Sequence, residues 1–404
     1  MSTEETRVSL KLMAVQAALE SGDTAALTSF WQNAAEHGTP LVEPIAGDDK
    51  NFLVSFVCRK PDDVKIIALA GQLSGQGHLQ QPLALLPGSD VWYRTLQFPA
   101  SLRGEYRIAY DGVELPDPLN PQQQVFPAGE DSFVAGDKDF YISLLTLPAA
   151  PPQPWLSPRP GVAPGRLEHL RFHSDILGNE HMLSVYTPAG FQPNAGPYPL
   201  VILFDRWAYA EVMSAPTTLD NLIASGAIPP LVAVMISHVN FDVRERELSC
   251  NPSYVEFLAQ EVMPWARQQY RATDDPARTV VSGMSLGGLI AAYTGLRHPE
   301  IFGKILCQSA SFQWRPDGDP VTQWLTRQFA ASPRLLLSFY MEAGSLEDVF
   351  DEHWGVTLPA ANRHMRDVLQ SKGYPVHYAE FSGGHVFVCW QGTLADGLIA
   401  LLGS

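Results

Sequence analysis

Five short runs of almost unbroken apolar residues set the strongest limit on how this chain folds: LVILF from Leu200, LVAVMIS from Leu231, TVVSG from Thr279, KILCQS from Lys304 and RLLLSFYMEAG from Arg334. Strands exposed to water on one face alternate apolar and polar residues, whereas strands covered on both faces do not, so these runs read as the interior strands of a parallel sheet. Amphipathic stretches of helical length lie between or after them, at 253–270, 286–297, 357–372 and 390–402. The alternation predicts an α/β architecture with a doubly wound, mostly parallel sheet over residues 166–404.

The first half of the chain has a different period. Residues 8–20 (VSLKLMAVQAALE) carry apolar positions at helical spacing, and Ser21-Gly22-Asp23 marks a stop before a second helix running to Trp31. From about Asn51 the segments FLVSFVCR, VKIIALA, DVWYRTLQF and GEYRIAYDG are short, rich in β-branched and aromatic residues, and bounded by Gly, Pro and Asp. They predict a small β-sandwich. Seven prolines fall within residues 148–164, both ends included, too many missing N–H donors for a helix or a central strand. The division expected is 1–147 as helices plus sandwich, 148–165 as an extended proline-rich linker, and 166–404 as the α/β domain.

Composition narrows the function. With 27 basic and 43 acidic residues the formal charge is −16, which repels a phosphate backbone or an anionic membrane. An anionic substrate therefore needs a local cluster of arginines. The opening MSTEETRVSLK has no apolar core behind a basic start, so no secretion signal is read and a cytoplasmic location is expected. Cys58, Cys250, Cys307 and Cys389 are scattered without metal-ligand spacing, and neither a disulfide framework nor a metal site is expected.

Chemistry concentrates at Gly283-Met284-Ser285-Leu286-Gly287-Gly288, between a strand-like run and a helical one. A serine in G-x-S-x-G at such a turn is held in a strained elbow that presents its hydroxyl above the sheet, the flanking glycines being needed where a Cβ would strike neighbouring backbone. The N–H of Leu286 then points at a developing oxyanion. Ser285 needs a base and an acid, which follow it in that fold in the order acid, histidine. Of the later histidines, His385 in Ser382-Gly383-Gly384-His385 lies on a flexible loop after a strand-like VHYAEF. His353 is its rival, while His364 and His377 read as helix and strand residues. The acid belongs after RLLLSFYMEAG, where Glu342, Glu347, Asp348 and Asp351 compete. Glu347 is preferred because Gly344-Ser345-Leu346 allows a return turn and Glu342 is still within the strand. A second oxyanion donor is expected at the N–H of Arg206 or Trp207, after LVILF. Arg244 and Arg246 are read in a loop on the ligand side of the sheet, either for ligand binding or as part of an Arg-Glu brace.

Together these features resemble the enterochelin esterase family of serine hydrolases, which open the trilactone of ferric enterobactin-type siderophores in the cytoplasm. The similarity runs through both halves: Gly88 to Trp92, Leu102 to Tyr106 and Asp117-Pro118-Leu119-Asn120-Pro121, then Arg244 to Leu248 with Cys250-Asn251, Thr279 to Gly288, His298 to Gly303, Gln308-Ser309, Gly383-Gly384-His385 and Trp390 with Gly392. It implies an α/β-hydrolase domain preceded by a β-sandwich that forms one wall of the substrate cleft, and a Ser285, Glu347, His385 triad. It also implies no resident cofactor, iron entering only within the substrate, and a monomer is the expected state. Arg206, Arg244 and Arg246, with Trp207, Tyr209 and Trp314, are then expected to hold anionic catecholates by charge and stacking. The sequence departs from the family at Arg206, which stands where the family has glycine. The competing readings are a feruloyl or general carboxylic-ester hydrolase, acyl transfer to an alcohol, and a ligand-binding protein on an inactive hydrolase fold.

Overall fold

The structure is a computed structural model that describes residues 9–74, 80–133 and 137–403. The chain divides into two compact units. The first comprises described residues up to 126 with 139–151 and 382–388; the second comprises 127–138, 152–381 and the described residues from 389 on.

The first unit begins with helices α1 (Leu10–Glu20) and α2 (Ala25–His37). Ser9 caps α1 by accepting the Leu12 N–H at 3.2 Å, and its hydroxyl donates to the buried Glu43. Val8, where the sequence reading starts this helix, lies outside the described residues. Strands follow at β1 (Leu41–Ile45), β2 (Asp48–Arg59), β3 (Ile67–Ala70), β4 (Gln81–Pro82), β5 (Ala84–Leu85), β6 (Val91–Pro99), β7 (Arg103–Tyr110), β8 (Val113–Leu115), β9 (Gln123–Phe126) and β10 (Phe140–Thr146). One sheet has the order β1-β2-β6-β5 and the other β4-β3-β7-β10-β9, with β8 paired to β7. Phe56 of β2 meets Tyr106 of β7 edge to face at 4.7 Å, so the two sheets form the expected sandwich. The Asp117-Pro118-Leu119-Asn120 segment is its polar brace. Asp117 accepts from Tyr106 Oη and Thr39 Oγ1, both at 2.7 Å, and Asn120 Nδ2 donates to Tyr106 Oη at 3.0 Å and to the Leu144 carbonyl at 2.8 Å.

The second unit carries β11 (Arg166–Ser174), β12 (Asn179–Thr187), β13 (Leu200–Phe204), α3 (Ala215–Ala224), β14 (Val232–Ile236), α4 (Phe241–Leu248), α5 (Pro252–Phe257), α6 (Met263–Tyr270), β15 (Thr279–Met284), α7 (Leu286–Arg297), β16 (Lys304–Gln308), α8 (Trp324–Ala331), β17 (Ser338–Gly344), α9 (Leu358–Ser371), β18 (Val376–Phe381) and α10 (Phe387–Leu402), the last of which begins on the 382–388 segment. The eight-stranded sheet has the order β11-β12-β14-β13-β15-β16-β17-β18. Every pair from β14-β13 onward is parallel, and β11, β12 and β14 pair antiparallel. This is the α/β-hydrolase architecture expected. The five parallel strands foreseen are β13 to β17, every residue of β13 and β14 being buried. The β11-β12 hairpin escaped the sequence reading because β11 is an outer strand with many exposed residues and lacks the continuous apolar run.

Two further local differences have physical causes. Residues 253–270 form α5 and α6 joined through a π-helical turn at Leu258–Val262, and Arg244 and Arg246 sit on helix α4, not in a loop. Asn240 starts that helix by accepting the Val243 N–H at 2.9 Å, a cap that outweighs the polar composition of DVREREL. The proline-rich stretch from residue 152 is tied to the second unit: Asn221 Nδ2 donates to the carbonyls of Trp155 and Ser157 at 2.7 and 2.9 Å, and Gly165 N–H to Asp220 at 2.7 Å. No described helix is long and apolar enough to cross a membrane.

Candidate active site

Strand β15 is buried throughout and ends one residue before Ser285, which adopts φ 57° and opens α7. With ψ at −122° this is a sparsely populated positive-φ conformation that costs a non-glycine residue about 1–3 kcal/mol, and such strain is typical of a nucleophile elbow. The elbow is held from both sides. Ser285 N–H donates to the Gln308 carbonyl at 3.0 Å, and its own carbonyl accepts from Gly288, Leu289 and Ser311 N–H at 3.1, 3.1 and 3.0 Å. Its Oγ lies 3.2 Å from Ser311 Oγ, a neighbour the sequence reading did not select. The glycines are not equivalent. A Cβ on Gly283 would lie 2.5 Å from the Gly287 carbonyl carbon, and one on Gly288 2.7 Å from Ala310 Cβ, whereas at Gly287 the nearest atom would be 3.5 Å away. The motif's second glycine is therefore the one that space does not demand.

Glu347 stands on a single turn, Ser345–Glu347, directly after β17. Its carboxylate accepts the Gly344 N–H at 3.0 Å and is buried, while Asp348 and Asp351 are exposed. His385 is half-buried on the segment that the first unit holds. Its N–H donates to Gln72 Oε1 and its carbonyl accepts from Gln72 Nε2 at 3.3 Å. Ser382, three residues earlier, is fixed by Ser101 Oγ at 2.7 Å and Arg103 N–H at 3.0 Å. Gln72 gave no signal in sequence, being 313 residues from His385. Of the rival histidines, His377 is exposed on β18, and His364 on α9 bonds Gln323 at 2.6 Å.

Four side chains expected to hold ligand are instead engaged inside the second unit. Asp205, at φ 65°, receives Arg244 Nε and Nη2 at 2.6 and 2.7 Å. Burial works against its charge, but the Arg244 guanidinium outweighs that and holds the carboxyl at about 2. Arg206 donates to Asp131 through Nε at 2.7 Å and Nη2 at 2.5 Å, and through Nη1 to Ser184 and Glu211 at 3.0 and 3.1 Å. Trp207 is 1% exposed, with Nε1 donating to the Pro127 carbonyl at 2.9 Å. Tyr209 is fully buried and donates to Gln308 Oε1 at 2.8 Å. Charges that have neutralised one another in the interior leave little field for a ligand, and the Arg206, Arg244, Trp207 and Tyr209 side chains, expected to hold catecholates, are engaged in these contacts. Arg246 remains exposed on α4. Trp314 lines a chamber of about 610 Å³ with Leu286, Ser311, Arg315, His353 and Trp354. His353 belongs to this wall, its ring 4.4 Å from Trp354.

Behind the elbow lies a carboxyl passed over as a strand residue. Glu342 is fully buried and accepts from Tyr340 Oη at 3.0 Å, Gln308 Nε2 at 3.2 Å and Thr393 Oγ1. Burial outweighs these hydrogen bonds and pushes it from 4.5 to about 8. The folded state then binds this proton more tightly than the unfolded chain, so the stabilisation is complete below the unfolded value and is lost as pH rises through about 8. Glu342→Gln preserves the shape and removes the titration. We expect the variant to melt later than the parent at pH 9, by on the order of 3 kcal/mol, and to match it at pH 4–5. Parallel melting curves across that range would refute the assignment.

Among the described residues, no group of three or more His, Cys, Asp or Glu side chains is placed to hold a metal ion. Residues 174–401 match the family described as "Putative esterase". The chain is 32% identical to the iron(III) enterobactin esterase of Dickeya dadantii, over 96% of this chain and 95% of that protein. It belongs to the enterobactin esterase family. Another similar member is the iron(III) salmochelin esterase of Escherichia coli O6:H1, 28% identical over 95% of this chain and 96% of that one. Among solved structures, the enterobactin esterase of Shigella flexneri crystallised in the presence of enterobactin is similar with a TM-score of 0.75 and 26% identity, over 92% of this chain and 97% of that chain. As an enterobactin esterase family member the chain is a carboxylic-ester hydrolase.

Proposed function

We propose that this enzyme hydrolyses the serine-ester bonds of a catecholate trilactone siderophore of the ferric enterobactin type, with Ser285, His385 and Glu347 acting as one triad. The observation that carries the reading is the Ser285 elbow, φ 57° at the head of α7, in a chain similar over 96% of its length to an iron(III) enterobactin esterase. That whole-length similarity, sandwich unit included, favours a siderophore substrate over a feruloyl or general ester.

In the proposed cycle His385 takes the Ser285 proton as Oγ attacks the ester carbonyl, and Glu347 holds the imidazole in the required tautomer. The oxyanion is met by the Leu286 N–H at the positive end of α7 and by a backbone N–H of Arg206 or Trp207. His385 then protonates the departing serine hydroxyl. Water, activated by the same imidazole, releases the acyl group. Opening the ring loosens the chelate and frees iron, which is cargo of the substrate and not a resident cofactor. Trp314 and Trp354 offer flat faces for a catechol arm in the chamber beside Leu286 and Ser311. Arg246 on α4 supplies an exposed positive charge.

Mass spectrometry of products after incubation with ferric and iron-free tri-catecholate lactones tests the reading. The expected products are the linear trimer and then shorter dihydroxybenzoyl-serine esters. Absence of any ring-opened product, with hydrolysis of feruloyl esters intact, would replace it.

A further inference from the structure

The turn after β13 spends every large side chain it has on anchoring itself. Asp205 is gripped at both oxygens by Arg244, and Arg206 grips both oxygens of Asp131. Trp207 is tied to the Pro127 carbonyl and packs 5.7 Å from Phe133, whose ring also lies 5.1 Å from the Arg244 guanidinium. Segment 127–133 thus clasps the turn from one side and α4 from the other. What remains for the turn to offer is its backbone. Asp205 takes a positive φ of 65° and Trp207 is right-handed at φ −57°, ψ −45°, so the backbone reverses direction sharply between the end of β13 and the turn that follows. The turn is next to the Ser285 elbow: a Cβ on Gly287, two residues after Ser285, would lie 3.6 Å from Asp205 Oδ2.

Two buried ion pairs are a poor device for stability, since apolar groups of the same volume usually do as well. Their forked contacts are a good device for direction. We propose that Arg206 with Asp131, and Arg244 with Asp205, are positioning residues that hold the 205–207 amides in the orientation needed to receive the oxyanion formed at Ser285. This rests on the reading of Ser285 as nucleophile. It also accounts for arginine at 206: the side chain fastens the turn and leaves its N–H to act.

The test uses p-nitrophenyl butyrate, so that it does not depend on the natural ester, and compares the parent, Ser285→Ala, and the apolar double variant Arg206→Met with Asp131→Leu. The double variant is expected to melt cooperatively at or above the parent temperature, with KM within about threefold and kcat lowered roughly 30- to 300-fold, the scale of a displaced oxyanion donor. A purely structural pair would leave kcat untouched once folding is intact. A fall of less than threefold in kcat, with Ser285→Ala inactive, overturns the clasp alone. Turnover retained by Ser285→Ala takes down the nucleophile and the clasp together. If the double variant does not melt cooperatively, Arg206→Lys carries the same readout, because it keeps the charge and loses the fork.

Discussion

Ser285→Ala is expected to lower kcat for any ester by about 10⁵-fold while leaving the protein folded. The size follows from the chemistry: without Oγ no acyl enzyme forms, and only the residual effects of binding and oxyanion stabilisation remain. The folded state should not suffer. The elbow is held through the backbone of Ser285, by Gln308, Gly288, Leu289 and Ser311, and alanine keeps all of those bonds. Its hydroxyl contributes a 3.2 Å contact to Ser311 Oγ, worth about 1 kcal/mol at most. The melting temperature should therefore move by only a few degrees, and removal of a polar group from a strained elbow can raise it. Steady-state kinetics with calorimetry on the same preparations decides the matter. Activity within tenfold of the parent would show that another group attacks the ester.

Gly283→Ala is expected to cause the largest loss of stability from a single methyl group. The added Cβ would lie 2.5, 2.6 and 2.7 Å from the C, O and Cα of Gly287. All three are backbone atoms of the first turn of α7, which is packed between β15 and β16 and has no flexible end to swing aside. Relief requires the strand and the helix to separate, costing about 3 kcal/mol or more, equivalent to a fall of roughly 10 °C in melting temperature. The same shift would carry Ser285 away from its partners, so activity should drop more than about 100-fold. Gly287→Ala is the internal control, because its nearest neighbour would be at 3.5 Å, an ordinary contact. Calorimetry of the two variants side by side should separate them clearly; equal melting temperatures would mean that the elbow is not packed as described.

What could be read in the sequence was local. The period of the apolar runs identified β13 to β17 as buried parallel strands, because burial on both faces removes alternation. The elbow was legible because strand, tight turn and helix start occupy only a few consecutive residues around Ser285. Glu347 and His385 are proposed from their order along the chain and from the turn-forming glycines before them. Gly283-Met284-Ser285-Leu286-Gly287 also misled slightly, since a motif treats its glycines alike and the packing does not.

The fate of the charged and aromatic side chains was a matter of tertiary structure. In sequence Asp205-Arg206-Trp207-Ala208-Tyr209 is an arginine among aromatics at the ligand end of a strand, and it reads as a binding surface. In the fold each of the four large side chains meets a partner from a distant segment: Asp131 lies 75 residues from Arg206, Arg244 39 residues from Asp205, and Gln308 99 residues from Tyr209. The same holds for Gln72 on the backbone of His385 and for the uncharged carboxyl of Glu342. Sequence alone determined the order of elements, the class of sheet and the position of the Ser285 elbow, because backbone preference and burial period act over a few residues. Which charges face a ligand and which neutralise each other depends on distances between segments far apart in the chain, and only the folded structure sets those distances.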